Sequence, residues 1–156
     1  MVRQPDLPPA DLLDEIETAA RALVVVWARS AERVRPEVSA LQLRALIVVD
    51  RHPSINLAGL SDELGSIPSV TSRLCDRLQT AGLLVRRSSA IDRREIVLQL
   101  SPDGRRFVQR FRRARKADLA AVLQQMSARS RNALLMGLDA FYSAAVELGH
   151  ADDELA

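Results

Sequence analysis

A chain of 156 residues, 47% of them apolar and 27% charged, can bury one sizeable core and carries too much hydrophobic material to stay disordered. The net charge of +2 selects no partner by itself, and only 6 glycines and few aromatics favour helix over sheet. A lone Cys75 excludes an intramolecular disulfide, the apolar run 22–28 is far too short to cross a bilayer, and MVRQPDLPPADLLDE has no secretory-signal pattern, so a cytoplasmic protein is expected.

In chain order, residues 10–35 place Leu13, Ile16, Ala20, Leu23, Val24, Trp27, Ala31 and Val34 at spacings of three and four, which predicts a long amphipathic helix ended by Pro36. Ser39 with Gln42 three positions on forms a capping box and opens a second helix running to about His52, stopped by Pro53. Asn56 then caps a helix of barely two turns with Leu57, Leu60 and Leu64 as its buried stripe and Gly65 as its left-handed terminator. SIPSVTSRLCDRLQTAG predicts the next helix, with Ser66 as cap, Pro68 in the first turn and Gly82 as stop. Its buried positions are expected at Ile67, Val70, Leu74, Leu78 and Ala81, which leaves Ser69, Ser72, Arg73, Asp76, Arg77 and Thr80 outside. Two short helices joined by a tight turn, the second carrying hydroxyls and arginines outward, read as a helix-turn-helix.

After Gly82 the period changes. LLVRR and EIVLQL are strand-like, with Ile96, Leu98 and Leu100 alternating with Val97 and Gln99, and together they predict a β-hairpin, the wing of a winged helix. Ser101 and Pro102 open a long helix with Phe107, Phe111, Ala114, Leu119, Val122, Leu123 and Met126 on its apolar side, and Ser127 caps a last helix bearing Leu134, Leu135, Leu138, Phe141, Tyr142, Ala145 and Leu148. The fold class is therefore mainly α with a small β-hairpin wing (α+β). Residues 1–36 form an N-terminal dimerisation helix, 37–101 a winged helix-turn-helix and 102–156 the C-terminal dimerisation helices. The terminal helices are too apolar to stand alone in water, so they are expected to interlace with those of a second copy in a twofold homodimer.

Charge is unevenly placed. Residues 66–116 hold 13 Lys and Arg against 4 Asp and Glu, whereas both flanks are net acidic. A positive middle third suits a polyanion such as double-stranded DNA, and a dimer matches a near-palindromic site because two recognition helices can enter major grooves one helical turn apart. Pro68, Ser69, Thr71, Ser72, Arg73 and Arg77 are the candidate recognition-helix contacts, since guanidiniums and hydroxyls read base edges and phosphates. Asp76 is expected to hold Arg73 or Arg77 in place. In the hairpin stretch RRSSAIDRR, Arg93 and Arg94 are placed for a minor groove, Asp92 for clamping a neighbouring guanidinium, and Arg86 and Arg87 for phosphates.

On these residues the chain resembles the MarR family of bacterial winged-helix regulators. DRREIVLQLSPDGR is similar to the family's wing pattern at Asp92, Arg94, Leu100 and Ser101, and PSVTSRLCDRLQTAGLLVRR is similar to its recognition helix and the turn into the wing. The resemblance implies a homodimeric DNA-binding protein, usually a repressor, often released by a small, frequently phenolic, ligand. Such a ligand would use the cleft between the dimer helices and the winged module, with Trp27, Arg44 and His52 as its expected lining. Some relatives sense peroxides through a cysteine of the N-terminal helix; here Cys75 lies in the recognition helix and reads as a small buried hydrophobe. His52 and His150 have no ligand-like spacing, so neither a metal nor another cofactor is expected. Enzyme chemistry is not expected either, because GxSxG, HExxH and a phosphate-cradling glycine loop are all missing. The competing reading is a winged helix used only for protein contacts, whose wing would not need paired arginines.

Overall fold

In the computed structural model, which describes residues 9–32, 38–88 and 95–149, there are six helices and one antiparallel hairpin, against which α2, α3, α4 and α5 pack. The elements are α1 (Ala10–Glu32), α2 (Ala40–Arg51), α3 (Leu57–Leu64), α4 (Pro68–Thr80), β1 (Leu84–Ser88), β2 (Ile96–Leu100), α5 (Pro102–Gln124) and α6 (Ala128–Glu147). The hairpin tip with Asp92, Arg93 and Arg94, the Pro36 stop and His150 lie outside the described residues.

Local chemistry sets most of these boundaries. The Ser39 backbone N–H donates to Gln42 Oε1 at 2.8 Å while the Gln42 N–H donates to Ser39 Oγ at 3.3 Å, so the reciprocal capping box of α2 is closed. Ser101 Oγ accepts the Gly104 N–H at 2.9 Å with Pro102 in the first turn, and Ser127 Oγ accepts the Ser130 N–H at 3.0 Å. Helix α4 ends where Gly82 turns to φ +71°, a left-handed conformation that costs a residue without Cβ nothing.

The core belongs to the winged module. Leu43, Ala45, Leu46 and Val49 of α2 meet Leu60 and Leu64 of α3, Leu74, Cys75 and Leu78 of α4, Leu84, Leu98 and Leu100 of the hairpin, and Phe107, Val108 and Phe111 of α5. Gly104 makes the last junction possible: a Cβ there would stand 2.0 Å from the Leu83 carbonyl oxygen, so α5 docks on the turn before β1 only because that atom is missing.

In β2, Val97 is buried as well as Leu98 and Leu100, so strict alternation fails. A third segment explains this: Leu98 N–H donates to the Ile55 carbonyl at 2.7 Å, and Asn56 pairs with Val97, covering the strand's outer edge.

Helix α1 packs along α5, and a guanidinium seals the contact: the Arg115 Cζ lies 4.0 Å from the Trp27 ring centroid. Burial pushes the Arg115 pKa down, with the like charge of Arg51 acting in the same direction. Ala31 also packs against the core, but much of α1 stays bare, with Leu12, Leu13, Ile16, Val24 and Val25 exposed, and α6 has no buried residue.

Candidate nucleic-acid interface

Helices α3 and α4 are joined by a three-residue turn whose geometry decides which face of α4 looks outward. Gly65 adopts φ +60°, its N–H donates to the Asp62 carbonyl at 3.0 Å, and Ser66 N–H donates to the Ser61 carbonyl at 2.9 Å. Ser66 is thereby used in closing α3 and does not cap α4. The N-cap is Ile67, whose carbonyl accepts the Val70 and Thr71 N–H groups at 3.0 and 3.1 Å and whose side chain supplies no cap bond.

The buried face of α4 is accordingly Thr71, Leu74, Cys75 and Leu78, and Ile67, Val70 and Ala81 are exposed, contrary to the expected core positions. Thr71 is corrected as a contact candidate: it is fully buried, and its hydroxyl donates back to the Ile67 carbonyl at 3.3 Å. Cys75 is buried as the sequence suggested. Burial raises its thiol pKa, opposed by Arg86 and reinforced by Asp76.

Pro68, Ser69, Arg73 and Arg77 are exposed and Ser72 is half-buried. The structure thus brings Ser69, Arg73 and Arg77 into one outward stripe, with successive members one turn apart.

Asp76 holds neither Arg73 nor Arg77 as expected. Its Oδ1 accepts from Arg86 Nη2 of β1 at 2.8 Å, and Arg86 Nη1 donates to Gln79 Oε1 at 3.0 Å. Arg86, expected to reach phosphate, is in this structure a strut that ties α4 to β1 through these two bonds. The helix register explains both outcomes: Asp76 and Gln79 sit three apart on the flank that faces β1, within reach of one guanidinium fork. Arg87, its neighbour on β1, points to the other side of the strand and is exposed.

A second tie fixes the other strand. Asn56 Oδ1 accepts the Gly59 N–H at 2.9 Å to cap α3, while its Nδ2 donates to Glu95 Oε1 at 2.7 Å at the root of β2. Sequence reasoning found the cap and missed the second partner.

The arginines of α5, counted in the basic middle third, are largely engaged within the chain. Arg105 donates to the Leu100 carbonyl at 2.8 Å, Arg106 pairs with Asp103, Arg110 lies over Phe107, and Arg112 meets Asp50 at 2.6 Å. Of these, Arg105 and Arg112 fasten α5 to its neighbours while Arg106 and Arg110 are engaged within the helix, and Arg73, Arg77 and Arg87 remain exposed on α4 and β1.

Trp27, Arg44 and His52 are not brought together. Trp27 is stacked on one face by Arg115 and otherwise exposed, Arg44 Nη2 donates to the Glu63 carbonyl at 2.9 Å, and His52 closes the far end of α2. The open cleft beside His52, about 520 Å³, is lined also by Pro53, Ile55 and Glu63 but by neither Trp27 nor Arg44. Among the described residues no cluster of three or more His, Cys, Asp or Glu is placed to hold a metal, and no helix is long and apolar enough to cross a membrane.

Comparison with known proteins agrees with this geometry. A sequence model of the MarR family matches residues 37–95. The crystal structure of RV1404 from Mycobacterium tuberculosis is 34% identical, superposes with a TM-score of 0.79, and covers 90% of this chain and 97% of its own. A MarR family protein from Bacillus stearothermophilus shares the fold with a TM-score of 0.78 at 20% identity, over 90% of this chain and 99% of its own. An uncharacterized HTH-type transcriptional regulator of Bacillus subtilis, YfiV, is 26% identical over 69% of this chain and 68% of its own length.

Proposed function

Because the chain belongs to the MarR family of winged-helix transcriptional regulators, we propose that it acts as a sequence-specific, homodimeric DNA-binding repressor. Its α4 would enter the major groove of each half of a near-palindromic operator. The observation that carries this reading is the outward stripe of Ser69, Arg73 and Arg77, on a helix braced against the hairpin by Arg86.

Arg73 and Arg77 would offer bidentate donors to guanine or to phosphate, Ser69 and Ser72 hydroxyls to either, and Pro68 close packing at the helix entry. Arg87 would add a salt-sensitive phosphate contact. The wing residues Arg93 and Arg94 would probe the minor groove with Asp92 steering them, as their place in the sequence pattern suggests.

Dimerisation is supported by what α1 and α6 leave in water: Ile16 and Val25 at 50% exposure, Leu135 at 60% and Phe141 at 69%. Two copies interlacing these faces would remove them from solvent and set the spacing of the two α4 helices. Release by a small phenolic-type ligand belongs to the same reading, its site completed by the second copy, since no described cleft gathers Trp27, Arg44 and His52.

Selection of duplexes from a random pool by the purified protein tests the proposal. The expected product is an inverted repeat with half-sites about one helical turn apart, bound with steep salt dependence. No enrichment at low salt would refute it and favour a winged helix devoted to protein contacts.

A further inference from the structure

Ile67 and Val70 were expected in the core and are instead 63% and 41% exposed. They stand at the entry of the helix that the proposed function sends into the groove. Ile67 also occupies an N-cap, where Ser, Thr, Asp or Asn would satisfy a first-turn N–H and where it supplies no such bond. A sequence that places an apolar side chain where both capping and solvation oppose it breaks a local rule, and such breaks concentrate at functional sites.

The two residues are not isolated specks of apolar surface. At 100° per residue Val70 lies two turns below Arg77 on the same flank, beside Arg73, and Ile67 precedes it on that side. The patch is therefore continuous with the cationic stripe. Phosphates and guanine edges satisfy the arginines, whereas the apolar group that a B-form major groove offers beside them is the thymine 5-methyl.

Resting on the DNA-binding reading above, we infer that Ile67 and Val70 are specificity-determining residues that read thymine methyl groups in each half-site. The N-terminal residues of a recognition helix are those that reach base edges, so these side chains are at the right end of α4. Burying one methyl is worth about a fourfold change in affinity.

The test uses the duplex that the parent protein selects from a random pool, with each thymine replaced in turn by deoxyuridine, which removes only the methyl. At one or two positions per half-site the parent should lose about fourfold in affinity. Ile67→Ala or Val70→Ala should weaken binding to the thymine duplex by a similar factor and abolish the penalty for deoxyuridine at its own position. Because both side chains are exposed, the variants should keep the parental melting temperature.

Variants that bind the thymine duplex as the parent does, or that keep the full deoxyuridine penalty, would overturn the inference while leaving DNA binding intact. The first of these outcomes is also what a protein-docking role for the patch would give. A parent protein that selects no duplex would remove the reading on which the inference rests, and the inference with it.

Discussion

Replacing Asp76 by Asn sets two physical expectations against each other. If the outward face of α4 meets a polyanion, deleting a carboxylate there should tighten binding by simple Coulomb attraction. If Asp76 instead works through Arg86, deletion should loosen binding, because the strut between recognition helix and wing strand is weakened.

The geometry favours the second outcome. Arg86 makes two bonds into α4, at 2.8 Å to Asp76 and 3.0 Å to Gln79, and Asn would keep an acceptor while turning a charge-assisted bond into a neutral one. Screened as this part-exposed pair is, that exchange costs about 0.5 kcal/mol of positional restraint, or about twofold in affinity. The side chains are 34% and 56% exposed, so solvent screening limits the effect on folding to well under about 1 kcal/mol and the melting curve should barely move. Fluorescence anisotropy of the labelled selected duplex across a salt series would measure the change, with an unaltered salt slope because no phosphate contact is removed. Placing Arg at 76 and Asp at 86 together should recover part of the loss. Tighter binding by Asp76→Asn, or a loss that the swap leaves untouched, would refute the strut.

Arg94→Ala should weaken operator binding by about 1–3 kcal/mol at constant melting temperature, and Asp92→Ala should weaken it too, despite removing a negative charge; gel-shift titration checks both. Gly104→Ala forces a methyl to 2.0 Å from the Leu83 carbonyl oxygen and should destabilise by about 1–3 kcal/mol or more, read as a lower denaturant midpoint. Phe141→Asp with Leu135→Asp should give a monomer in sedimentation and lose cooperative binding to paired half-sites, since both side chains face solvent in the single chain. The Cys75 thiol has its pKa raised by burial, so folding stability should be full below the ordinary thiol range and decline as pH rises above about 8.5. Cys75→Ala should flatten that alkaline slope in pH-dependent denaturation.

Element boundaries were legible wherever they rest on short-range chemistry. Ser39 with Gln42, Asn56, Gly65, Ser101 with Pro102 and Ser127 each decide a helix end within four residues of themselves. The start of α4 lies one position beyond the expected cap, since the Ser66 backbone N–H closes α3 on the Ser61 carbonyl and Ile67 takes the N-cap; which face is buried is set by packing against α3 and the hairpin, which puts Thr71 inside and Val70 outside. Burial of Val97 depends on Asn56, which is distant in the chain, and periodicity within a single strand carries no trace of such a neighbour.

At the site, the exposed stripe of Ser69, Arg73 and Arg77 follows from helical spacing alone. The destinations of Arg86, Arg112 and Arg115 do not, because their partners Asp76, Asp50 and Trp27 are brought up by tertiary packing. A charge count treats every arginine alike, whereas the fold divides them between those engaged by other elements and those left exposed.

The amide of Asn56 shows how one side chain can be under two obligations. Judged by capping alone, Asn, Asp and Ser at the head of α3 are near equals. Here the oxygen is occupied by Gly59 and the nitrogen by Glu95, so an aspartate would set two carboxylates against each other and a serine would fall short of the strand. The helix would survive either exchange, but the hairpin would lose one of its moorings at the root, the one that holds Glu95, in a protein that calorimetry scores as sound.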